Sequence, residues 1–212
     1  MDTNELLSLI QQGVVKQAPL EHSANKIRYG HPDGYFLNAN GLKMSLRYTP
    51  TKPSLKNGKS HSEYPKIDDN ILCHILMALT FYGERPTFID RKGKPYVGIC
   101  HHLVPNPLDY RPENLLCWLT REQHGIADAR QKVMRTIVPD GNLNGFDYAI
   151  LRELQDPRSM SDADFDARME YLRHMRKCGF DPRIFTAEHL HEFFSMPFEE
   201  FERVMLHHKN DE

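Results

Sequence analysis

Two histidines stand side by side at His101 and His102. Asn114 follows twelve positions after His102, and His124 ten positions after that; Asp128 comes four residues later still. Imidazole is the side chain whose ordinary pKa lets it take a proton near neutral pH, and in its neutral form it is a common metal ligand. A water molecule can therefore be deprotonated, or a divalent ion held, by such a set. His124 and Asp128, four apart, share one face of any helix that carries them. Arg111, Arg121 and Arg130 lie near in sequence and have the fork of donors that clamps phosphate, and nothing in the sequence chooses among them.

The flanks extend the pattern. Asn106, Pro107, Arg111, Pro112, Glu113, Asn114, Leu115, Trp118 and Thr120 form a recognisable frame. With them, residues 99–124 resemble the HNH nuclease motif, also called the ββα-metal or His-metal finger. One extra residue separates Asn114 from Trp118 relative to that pattern. The resemblance implies a strand carrying the first two residues, a loop carrying the asparagine and a helix supplying the last ligand. It implies His102 as general base, His101 and His124 as metal ligands, and Asn114 as the residue that holds the base loop through backbone hydrogen bonds. Asp128 matches a fourth position that some His-metal nucleases use.

The same resemblance implies one divalent ion, Mg2+, Mn2+, Zn2+, Ni2+ or Co2+, and double-stranded DNA as the partner of a phage or mobile-element type of endonuclease. RNA is excluded by no residue. The alternative is a catalytically silent HNH fold that binds DNA or a protein. Two departures stand out. Intron-encoded relatives commonly have Asp or Asn where His101 stands, and Val104-Pro105 replaces a frequent Asp-Gly. A nitrogen-rich ligand set suits zinc, nickel and cobalt better than magnesium, which prefers oxygen.

These residues need elements to position them. Residues 96–100 alternate as a strand leading into His101. A helix is expected from His124 through Val133 to about Arg135. Upstream, residues 71–81 have helical spacing, with Asp68, Asp69 and Asn70 as cap candidates. This helix resembles the one that precedes the motif in the family; His74 occupies its histidine position and is expected to pack and hydrogen-bond. Residues 84–94 read as a charged connection. Residues 26–66 read as strands and turns, with a hairpin expected at Asn40-Gly41. They look like the small β-module that often precedes HNH domains. Arg47, Lys52, Lys56 and Lys59 lie there in a loop rich in Pro, Gly and Ser, and are expected to meet the DNA backbone. At the start, a short packing helix is expected to place Leu6, Leu7, Ile10 and Val14 on one face.

The tail, from Pro139-Gly145 onward, reads as three or four helices. Net charge is +5 over residues 1–139 and −7 over 140–212, giving −2 overall. Phosphates would meet the front of the chain and be repelled by most of the tail. The glutamates at 199, 200 and 202 argue against a recognition helix and for a packing or protein-binding module.

At 212 residues the chain can bury one substantial core or two small ones. No apolar run approaches the length of a membrane helix, and a cytoplasmic location is expected. Cys73, Cys100, Cys117 and Cys178 form no Cys-x-x-Cys pair, so thiols are the simpler reading than a structural zinc. The expected fold class is α+β: an N-terminal helix (1–25), a β-rich basic module (26–66), a ββα-metal nuclease core (67–139) and an acidic helical module (140–212).

Overall fold

The computed structural model describes residues 3–48, 64–67 and 71–210. It is a mixed α+β protein, with small antiparallel sheets early in the chain and helices late. Two compact units are present, 1–120 and 121–212.

In the first unit, helix α1 spans Thr3–Gln11, followed by strands β1 (Lys16–Gln17), β2 (Arg28–His31) and β3 (Tyr35–Asn38), which pair in the order β1-β2-β3. Leu6 is buried against Val15 and Leu37, whereas Leu7 is 51% exposed and lies off the packing face. The main hairpin turns between β2 and β3, one turn earlier than expected. The Asn40-Gly41 turn does form, with Gly41 at φ +75°, but it closes only an isolated bridge between Leu37 and Lys43. Asn38 accounts for its shape: its Oδ1 accepts from the backbone N–H of Asn40 and Leu42.

Strands β4 (Arg47–Tyr48), β5 (Pro65–Ile67) and β6 (Ile71–Leu72) form a second small sheet. Helix α2 (Cys73–Tyr82) starts two residues later than its spacing suggests, because Ile71 and Leu72 pair with β5. Its buried residues Cys73, Leu76, Met77 and Ala78 join Phe36, Ile67, Tyr110, Leu115 and Cys117 in one core. The connection after α2 holds a hairpin the charge pattern hid: β7 (Thr87–Ile89) pairs with β8 (Pro95–Val97) across a turn at Gly93. Asp90 Oδ1 shapes that turn by accepting from Lys92 and Lys94 N–H.

Strand β9 (Ile99–His102) pairs antiparallel with β10 (Leu115–Leu119). The expected strand over 96–100 is thus split at Gly98 into β8 and β9. Leu115 faces His102 and Leu116 faces His101, but Leu119 faces Ile99, so β10 carries one residue more than its partner. Trp118 takes up the excess in a bulge at φ +61°, a conformation costly for a bulky side chain.

In the second unit, helix α3 spans Arg121–Ile137. Helices α4 (Tyr148–Gln155), α5 (Asp162–Lys177), α6 (Ala187–Ser195) and α7 (Phe198–Asn210) follow the turn-rich segment 139–145. Asp147, Ser161 and Thr186 cap α4, α5 and α6 by accepting from backbone N–H groups. Phe193 and Phe201 are buried among Tyr171, Phe185 and Phe198, which gives α6 and α7 an aromatic packing role. Glu199, Glu200 and Glu202 are exposed. Among the described residues, no helix is long and apolar enough to cross a membrane.

Candidate metal centre and catalytic loop

His101 and His102 occupy the last two positions of β9, and both are buried. Successive strand residues point to opposite faces, so the two imidazoles diverge. His102 shares its face with Cys100 and, across the ribbon, with Leu115, which belongs to the core under α2. There its ring lies 5.2 Å from that of His74 and 5.8 Å from that of Tyr64, while His74 and Tyr64 are 4.7 Å apart.

Burial pushes the His102 pKa down to about 4; His101 pushes the same way and the carboxylate of Asp109 opposes it. His74 is lowered further, to about 3, by burial and then by His102 and Arg85. Both rings are therefore neutral around pH 7. His74 packs as expected, but its Nδ1 is buried with no hydrogen-bond partner among the described residues.

The loop after His102 is tied by Asn114, which is fully buried at the end of the 3-10 turn Pro112–Asn114. Its Oδ1 accepts from Val104 N–H at 2.7 Å, and its Nδ2 donates to Val104 O at 3.4 Å and to Asp109 O at 2.8 Å. The backbone adds Leu103 N–H donating to Asn114 O at 2.9 Å. Val104 is itself 4% exposed, which accounts for an apolar residue at this place. Asp109 also accepts two bonds from the Arg111 guanidinium, at 2.8 Å each, and Arg111 pairs with Glu113 at 2.8 Å. Arg111 thus braces the loop with two carboxylates.

His124 and Asp128 lie on α3, both partly exposed. Four positions apart, they share one face of that helix, and each offers one ligand atom. An imidazole and a carboxylate one turn apart are donors that fit a divalent transition metal.

The remaining cationic candidates separate. Arg121 is exposed at the start of α3, and Arg47 is exposed on β4. Lys52, Lys56 and Lys59 lie outside the described residues, as do the cap candidates Asp68, Asp69 and Asn70. Arg130 corrects the expectation of a phosphate clamp: it is 4% exposed, inside the second unit. It donates to Leu154 O, Asp156 O and Met160 O and pairs with Asp162 at 2.7 Å, with its guanidinium 5.0 Å from the Phe165 ring. Those partners are 24 to 35 positions away in sequence, so spacing around the histidines gives no hint of them.

Tyr64 and Asp109 are the neighbours of His102 that sequence reasoning misses. Tyr64 lies 38 positions upstream with no motif to mark it; Asp109 stands inside the motif but outside its recognised letters. In comparisons with family models, curated proteins and solved structures, nothing matched this chain.

Proposed function

We propose that this chain is a metal-dependent endonuclease of the HNH type, hydrolysing phosphodiester bonds of double-stranded DNA. The observation that carries the reading is the Asn114 clasp. A fully buried asparagine spends its acceptor and both of its donor contacts on the backbone of the loop that follows a buried, neutral histidine on β9. That is the arrangement a ββα-metal finger uses to fix a general base, on a strand pair followed by a helix.

In this reading His102 accepts the proton of the water that attacks phosphorus in line with the departing 3′ oxygen. Its neutrality at pH 7 leaves it able to do so. Asn114 and Leu103 hold the base loop still, so little ordering remains to be done when substrate arrives. Arg111, fixed by Asp109 and Glu113, braces that loop. His101, His124 and Asp128 would hold the divalent ion. When bound, the ion supplies charge neutralisation at the phosphate and at the leaving oxygen. Arg47, Lys52, Lys56, Lys59 and Arg121 are the cations offered to the DNA backbone, and the acidic tail is a module for packing or for a protein partner.

The test is cleavage of a supercoiled plasmid by purified protein with manganese, with and without chelator, beside the His102→Ala variant.

A further inference from the structure

The ribbon that carries His101 and His102 also carries two thiols in contact. Cys100 Sγ and Cys117 Sγ are 3.2 Å apart, with no disulfide between them. The register accounts for it. Pairing of His102 with Leu115 and His101 with Leu116 brings Cys117 opposite Cys100 at the next step, just before the Trp118 bulge. Facing side chains on neighbouring strands can approach closely enough for a disulfide, whose Cα atoms stand about 4.4–6.8 Å apart. The sulfurs, at 3.2 Å, have about 1 Å to close to reach an S–S bond length of about 2.05 Å.

The two thiols differ in access. Cys117 is 7% exposed and packs in the core with Cys73, whereas Cys100 is half-buried. Burial pushes the Cys73 thiol up to about 12, so Cys73 stays protonated and inert beside them.

We propose that Cys100 and Cys117 are a thiol–disulfide couple, a site of reversible oxidation by small disulfides of the glutathione type. The Cys100 thiolate attacks one sulfur of oxidised glutathione, forming a mixed disulfide and expelling one glutathione thiolate. The Cys117 thiol then loses its proton and attacks Cys100 Sγ, expelling the second glutathione. Two protein thiols are oxidised and one glutathione disulfide is reduced to two thiols, so atoms and electrons balance. The bond locks β9 to β10 two positions from His102, on the same face of the ribbon. It is independent of the proposed nuclease activity.

The test treats the full-length native protein with oxidised glutathione, alkylates the remaining thiols after denaturation and maps the peptides. The expected product has lost two hydrogens in a Cys100–Cys117 link and carries alkyl groups on Cys73 and Cys178. The midpoint of thermal unfolding should rise by roughly 5–10 °C and return on reduction with dithiothreitol. Cys117→Ser should stop at one glutathione on Cys100. Because the wild-type map needs no variant, a poorly folding Cys117→Ser does not rescue the idea. No reaction, glutathione adducts without an internal link, or a link through Cys73 or Cys178 would each overturn it.

Discussion

Asn114 holds Val104 by both of its backbone polar atoms: Oδ1 accepts from Val104 N–H at 2.7 Å, and Nδ2 donates to Val104 O at 3.4 Å. The same Nδ2 reaches Asp109 O at 2.8 Å, so one side chain fixes both ends of the loop after His102. Replacing it by Ala strands a buried N–H and buried carbonyls, each costing about 1–3 kcal/mol. Asn114→Ala should lose about 2–4 kcal/mol in urea unfolding. Asn114→Asp keeps the acceptor and loses the donor, and should fall between wild type and Asn114→Ala. Equal stability for all three proteins would show that the clasp does not hold the loop.

His74 makes stability depend on pH. Its folded pKa, about 3, lies below the ordinary 6.5, so on acidification the unfolded chain takes up its proton first. Its share of stability is complete above pH 6.5 and is lost as pH falls from there towards 3. His74→Leu removes that term. Between pH 7 and pH 5 the variant should lose about 2 kcal/mol less than wild type in chemical denaturation. Parallel losses for the two proteins would mean that His74 titrates normally in the fold.

Arg130 separates a structural role from a nucleic-acid one. Its guanidinium is spent on three backbone carbonyls and Asp162 inside the second unit. Hydrogen bonds to a charged donor are worth about 1.5–3 kcal/mol each. Arg130→Met should therefore destabilise the protein by about 3 kcal/mol or more while leaving the salt slope of DNA binding unchanged. Loss of about one unit of that slope with full stability would restore Arg130 as a phosphate contact.

The metal prediction rests on the donor set. His101→Ala and His124→Ala should each weaken zinc or manganese binding at least tenfold in calorimetric titration, and Asp128→Ala less, since two imidazoles remain. Affinity should fall in acid, because imidazole must be neutral to ligate. Wild-type affinity in both histidine variants would place the ion elsewhere.

Much of this is legible in the sequence, and for local reasons. The helix spacing of α3 and the strand leading to His101 are signals within one turn or one pleat. What escaped is non-local. The β7–β8 hairpin hid in a charged segment because its strands are three residues each and carry Arg91, Lys92 and Lys94 between them. Ile71 and Leu72 have helical spacing, yet β5 claims their backbone. Arg130 looked available because its acceptors lie on elements far along the chain. Cys100 and Cys117 looked unrelated at a spacing of 17, and only the strand register brings them together.

The central claim is that His102 is the base of a metal-dependent phosphodiester hydrolysis. The most direct measurement is conversion of supercoiled plasmid to nicked or linear DNA with manganese, comparing wild type, wild type with EDTA, and His102→Ala shown by circular dichroism to be folded. The account predicts cleavage by wild type alone, abolished by EDTA and reduced at least a hundredfold in His102→Ala, with DNA binding retained. Cleavage by folded His102→Ala at the wild-type rate, or no cleavage by wild type with any divalent ion, would contradict it.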